Sequence, residues 1–195
     1  MTKEIKLPKP KNKSTLSLEE ALNKRRSIRD YKKGSLSIDQ VSQLLWAASG
    51  VNQYGRTFPS AGATYPLETY LVAGDVEGLE QGIYHYLPNP HSLEKTKDGD
   101  VRKELSQAAL GQGMIENAPV NIIIAVEYFR TTSHYGERGK RYVHMEAGHV
   151  GQNIHLQAEV LNLGTVMVGA FRDERVKGVL GIKEDPLYII PIGKI

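Results

Sequence analysis

"PVNIIIAVE", residues 119–127, runs Ile122, Ile123, Ile124 and Val126 almost without interruption. A strand with one wet face alternates apolar and polar residues. A continuous β-branched run is expected of a strand covered on both faces, so the chain needs a layer on either side of it. Upstream, "ETYLVAG" reads as a second strand. "GIYHYLPNPHSLEKT" reads as a hairpin, with Pro88, Asn89 and Pro90 at its tip, and a helix follows from about Val101 to Leu110. Downstream, "RTTSHYGERGKR" is a polar, mobile loop that leads into the longest helix, about Arg141 to Leu163. There Val143, Ala147, Val150, Ile154, Ala158 and Leu161 recur three or four apart, and Gly164 is the stop signal. Gly148 and Gly151 lie inside this helix, each costing about 1 kcal/mol relative to alanine, which points to a tight helix contact. "TVMVG", a short helix from Asp173 to Gly181 and "LYIIPIG" close the chain. Irregular alternation with one hairpin predicts an α+β fold, a mixed central sheet flanked by helices on both faces.

The amino-terminal half begins with two capping boxes. Ser17 with Glu20 starts a short helix carrying Leu18, Ala21 and Leu22 on one face, and Ser37 with Gln40 starts a second with Val41, Leu44, Leu45 and Ala48 inward and Gly50 as its stop. The loop "VNQYGRTFPSAGATYP" lacks periodicity and is long for a connection, a length associated with function or disorder. Ahead of both helices, residues 1–15 hold five lysines, Pro8 and Pro10 with little to bury, and read as a flexible arm before a single domain over 16–195.

Charge and composition exclude several classes of function. Twenty-five Lys and Arg against 22 Asp and Glu leave +3, too even for the basic field of a nucleic-acid binder. No stretch approaches the roughly 20 apolar residues of a bilayer span and no apolar signal core is present, so the expected setting is cytoplasmic. With no cysteine, disulfides, iron–sulfur clusters and thiol nucleophiles are excluded.

"RRSIRDY", residues 25–31, is the stretch that asks for a ligand. Arg25, Arg26 and Arg29 repel one another unless a negative group sits among them. That group is either Glu19, Glu20 and Asp30 in a solvated turn, or a bound anion to which Ser27 adds a hydroxyl. No Walker loop and no GxGxxG is present, so a nucleotide here would be gripped by side chains.

These stretches, in order, carry a resemblance. "RRSIRDY", "FPSAGATYPLETYLV", "ENAPVNIIIAV", "RYVHMEAGHVGQNIHLQAEVLNLGT" and "YIIPIG" resemble the nitroreductase family of flavoproteins over about residues 17 to 193, most closely the subgroup with peptide thiazoline/oxazoline dehydrogenases. The resemblance implies a homodimer with one FMN at each end of the subunit interface. It implies that Arg25, Arg26, Ser27 and Arg29 hold the phosphate and ribityl chain, and that Pro59, Ser60, Ala61 and Gly62 reach the flavin from the partner subunit. By the same resemblance Gln112 falls at the pyrimidine edge of the ring, and the backbone of Gly169, with Val168 and Ala170 beside it, meets the hydride-accepting nitrogen. Many members continue past the last strand into a tail with a further basic group; Lys194 stands in that role here. Small residues at 60–63 and 169–170 independently suit close backbone approach to a flat ring.

Three functions are open at this point. One is an FMN oxidoreductase that takes a hydride from NADH or NADPH and reduces a nitroaromatic, quinone or similar small acceptor by a ping-pong route. Another is the same flavoprotein run as a dehydrogenase of a peptide azoline, and the last is a non-catalytic flavin- or nucleotide-binding module. Arg141 and Tyr142 could line a substrate pocket, since Lys140, Arg141 and Tyr142 approximate the Lys-Tyr pair of the peptide dehydrogenases; ordinary packing and salt bridging is the reading preferred to that. His144, Glu146 and His149 invite a metal, but the two histidines lie about 140° apart around a helix. A hydrogen-bond network with Gln152 and Asn153 is the reading preferred to a metal site.

Overall fold

The computed structural model describes residues 4–195; the first three residues of the expected arm lie outside the described residues. The elements are β1 (Glu4–Lys6), α1 (Leu18–Lys24), α2 (Ile38–Ser49), β2 (Val51–Asn52), β3 (Gly55–Arg56), β4 (Leu67–Ala73), β5 (Gly82–Leu87) and β6 (Ser92–Asp98). Then follow α3 (Arg102–Ala108), α4 (Gly113–Asn117), β7 (Val120–Val126), α5 (Phe129–Tyr135), α6 (Arg138–Val160), β8 (Leu163–Thr165), α7 (Asp173–Leu180) and β9 (Asp185–Lys194).

β7 sits inside a seven-stranded sheet of order β1-β6-β5-β4-β7-β9-β8, with all seven of its residues buried. Ile122 and Ile124 face a layer built from Val41, Leu44 and Leu45 of α2 and Val143, Val150 and Ile154 of α6. Ile123 and Ala125 face the opposite layer, made by Leu105 of α3, Ile115 of α4 and Val176 and Leu180 of α7. The helices on both faces are therefore the physical reason for the unbroken apolar run. Each strand ladder of the sheet runs antiparallel, and among the described residues the one parallel pairing is the isolated bridge Leu36–Val76 outside the sheet.

Both capping boxes form, with Ser17 Oγ accepting from the Glu20 N–H at 3.1 Å and Ser37 Oγ from the Gln40 N–H at 3.3 Å. Three expectations are corrected. The polar loop after β7 is helical, as α5 and the first turn of α6, because Thr132 Oγ1 and the Thr132 N–H both bond to the Tyr128 carbonyl. Asn162 at φ 55°, rather than Gly164, turns the chain out of α6; Gly164 lies within β8, against Ile28 and Ile195. Residues 4–11 of the expected arm are also held down. β1 pairs with β6, Leu7 is buried, and the Lys11 backbone exchanges hydrogen bonds with the Gln43 amide at 2.8 and 3.1 Å.

Candidate functional site

Arg25 caps α1, its N–H bonded to the Ala21 carbonyl at 3.0 Å. Beyond it the chain is fixed at two points on the sheet: the Ile28 N–H donates to Thr165 O and the Lys32 N–H to Lys194 O, each at 2.9 Å. Between them Tyr31 lays its ring against Gly193, and its hydroxyl reaches the carbonyls of Ile28 and Pro191 at 3.0 and 3.2 Å. Burial there pushes the phenol well above its ordinary range. Arg25 is half-buried, while Arg26, Ser27 and Arg29 are exposed.

Among the described residues none of the three arginines makes an ion pair. Glu20, one of the carboxylates expected to balance them, instead accepts from the Ser17 N–H at 2.9 Å. Three guanidinium groups on an anchored backbone, none of them in an ion pair among the described residues, leave positive charge and N–H donors of the kind that suit an anion. His155 of α6 lies buried next to this stretch, with no hydrogen bond to Nδ1. Burial, and then the charge of Arg25, hold its pKa below the ordinary histidine value.

Three residues beyond Thr165, Val168 exchanges backbone bonds with Ile189 at 2.9 and 3.0 Å. This pins the segment that follows, where Gly169 and Ala170 are exposed. Gln112, at the start of α4, donates from Nε2 to the carbonyls of Ala109 and Ala170, each at 2.8 Å. Arg25–Arg29, Val168–Ala170 and Gln112 are thus tied by hydrogen bonds along one edge of the sheet.

Residues 59–62 lie elsewhere in the chain, against α5 and α6. Ser60 organises a tight turn, its Oγ accepting from the Tyr65 N–H at 3.0 Å and its carbonyl from the Ala63 N–H at 3.1 Å. Gly62, Ala63 and Tyr65 have φ of 59°, 52° and 44°. A Cβ at Gly62 would stand 2.7 Å from the Tyr135 hydroxyl, so at φ 59° any larger residue would be strained and would push that tyrosine aside. Tyr135 in turn meets Tyr142 edge-on, centroids 5.2 Å apart, and Arg138 lies 5.9 Å over the Tyr142 ring. Arg141 is exposed. Behind the turn Glu146 is 2% exposed, with neither carboxyl oxygen hydrogen-bonded among the described residues. Burial pushes its pKa up to about 7.

Lys194 does not join Arg25–Arg29. Its ammonium lies over Gly34 and lines a cavity of about 680 Å³ with Lys9, Lys11, Lys13 and Trp46, a cavity that none of the three arginines lines. His144 bonds to the Tyr128 hydroxyl at 2.6 Å, away from buried Glu146, and Asn153 donates to the carbonyls of Ala47 and Thr57. Among the described residues no group of three His, Cys, Asp or Glu gathers as a metal site, and no helix is long and apolar enough to cross a membrane. Sequence reasoning passed over Tyr135 and His155. The first fell in a stretch read as loop, and the second sits on the apolar stripe of α6 without a local signal of its neighbour Arg25.

Comparison with known proteins adds to this geometry. The family model described as Nitroreductase family matches residues 22–194. A protein of Methanocaldococcus jannaschii named as a candidate nitroreductase is 50% identical over 195 residues, 99% of this chain and 97% of the relative. The microcin B17-processing protein McbC of Escherichia coli is 26% identical over 160 residues, 78% of this chain and 59% of McbC. A crystal structure from Anabaena variabilis, also named as a candidate nitroreductase, superposes with a TM-score of 0.89 at 33% identity. That match covers 99% of this chain and 42% of the other. This chain therefore spans nearly the whole of the archaeal relative but only about half of the other two.

Proposed function

This chain belongs to the nitroreductase family, and from that premise we propose that it is an FMN-dependent oxidoreductase working as a homodimer. Arg25, Arg26 and Arg29 bind the phosphate, with Ser27 donating its hydroxyl to the same oxygens. The exposed backbone of Gly169 and Ala170 approaches the ring, held in place by the Gln112 bond to the Ala170 carbonyl. The 59–62 segment of the partner subunit closes the site and excludes water. FMN supplies the redox chemistry when bound, accepting a hydride from NADH or NADPH and passing electrons to a nitroaromatic, quinone or similar small acceptor. No protein acid–base pair is needed for that exchange; the protein's part is to bind, orient and exclude water.

One observation carries the reading: three guanidinium groups without an ion pair among the described residues stand on a backbone bonded, at Ile28 and Thr165, to the strand that leads into residues 168–170. The chemistry supports this, since a phosphate dianion would supply the missing charge and the exposed residues 169–170 leave their backbone open. Purified protein should be yellow and release a species with the mass of FMN on denaturation. NADH or NADPH should bleach it, and a quinone should restore the colour. A colourless chain that takes up no added FMN would refute the proposal.

A second reading, oxidation of a peptide azoline, is favoured by the contact of Tyr142 with Tyr135 over Gly62, which brings a phenol toward the proposed flavin-facing turn. The 26% identity with a microcin-processing protein supports it. Inertness to both nicotinamides together with oxidation of a thiazoline would select this reading.

A further inference from the structure

Glu146 has no use in the function proposed above, yet it is a carboxyl 2% exposed without a hydrogen bond to either oxygen. Such a group is rare in a folded interior and asks for an explanation. The polar groups that act on it are the Ser60 side chain and the Ala61 N–H, although neither completes a hydrogen bond to it. Both are donors with no other acceptor: Ser60 Oγ accepts from the Tyr65 N–H, and neither its proton nor the Ala61 N–H is donated elsewhere among the described residues. An ionised carboxylate is the stronger acceptor and draws such donors onto itself, whereas a neutral acid leaves them available to another acceptor. The turn transmits that pull, since Gly62, Ala63 and Tyr65 hold it in the left-handed region, where there is little conformational freedom.

We infer that Glu146 is a positioning residue whose proton decides whether the 59–62 turn offers its donors to the cofactor, the neutral acid being the binding-competent form. The inference rests on the reading of that turn as a cofactor contact. The titratable side chains around it are Tyr65 with Arg56 5.5 Å over its ring, Tyr135 against Gly62, and Tyr142 and His149 a turn away on α6. None of them acts on the carboxyl by charge, and burial is the leading cause of its raised pKa. The sign follows. A pKa raised from 4.5 to about 7 keeps the acid neutral below that value, and competence is lost as pH rises through it.

The test is FMN affinity of flavin-free full-length chain, read by quenching of flavin fluorescence across the neutral range for wild type and Glu146→Gln, with near-ultraviolet circular dichroism as the check on folding. Wild type should bind about tenfold more weakly near pH 8 than near pH 6, as only the neutral fraction is competent. The isosteric amide should match wild type near pH 6 and keep that affinity near pH 8; titration of the FMN phosphate is common to both and cancels. Parallel profiles for the two proteins would overturn the inference. Failure of both to bind FMN at any pH would overturn the flavin reading and this inference with it. An infrared carbonyl band of a neutral carboxylic acid, present in wild type near pH 6 and missing in Glu146→Gln, reports the proton without any flavin; its absence would sink the inference alone.

Discussion

Arg26 and Arg29 are exposed side chains on an anchored backbone. Their loss should therefore remove charge without disturbing packing. The double change Arg26→Ala/Arg29→Ala should weaken FMN binding by roughly 3 kcal/mol, about 100-fold in Kd, since each charge-assisted phosphate contact is partly screened by solvent. Equilibrium dialysis against FMN checks this, and an unchanged melting temperature of the flavin-free variant checks that only the ligand was affected. A double variant that purified fully yellow would rule out the phosphate assignment. At this scale the cluster itself was legible, because three like charges within five positions are visible in a string of letters. That no carboxylate neutralises them was not, because Glu19, Glu20 and Asp30 were all near enough in sequence to have done so.

α2 shows how far local rules reach at the scale of an element. Its capping box, apolar stripe and end before Gly50 all follow from side chains within one turn of each other. Ser37→Ala removes the acceptor of the Gln40 N–H and should cost about 1 kcal/mol, read as a lower midpoint in urea with the slope unchanged. α6 shows where those rules stop. Gly151 is explained within the chain, since a Cβ there would run into the Met167 side chain, whereas a Cβ at Gly148 meets nothing. The two glycines look alike in sequence and differ because one faces the Met167 segment and the other faces open space. Asn162 against Gly164 is the same lesson: glycine is the usual residue at a left-handed helix end, but here close packing against Ile28 and Ile195 claims it for β8.

For the whole molecule, exposed apolar residues stand on several elements: Leu18 and Leu22 of α1, Met145 of α6 and Phe129 of α5, each more than half exposed. Met145 and Gly148 stand three residues apart on the exposed side of α6, and that face of α6 is the surface we propose for the second copy of the chain. Gly148→Trp should leave the single chain folded, because the new side chain projects into open space, and should shift the protein from dimer to monomer in light scattering. Loss of bound FMN should accompany that shift if the 59–62 turn completes the site from the partner subunit. A Gly148→Trp variant that remained dimeric would move the interface off this face.

The layers of the fold are dictated locally by the chain. The run at 122–126 demanded cover on two sides, the stripe on α6 supplied part of it, and the capping boxes fixed where the first helices begin. Each of these is a short-range rule of periodicity or hydrogen bonding, readable over a turn or a strand. Which distant segments share an edge was settled only by folding in three dimensions. Folding bonded Ile28 to Thr165 and Gln112 to Ala170, set Lys194 apart in another cavity, and buried Glu146 behind Ser60. Those pairings depend on strand order and on where water is excluded, and neither is encoded in any local window of residues.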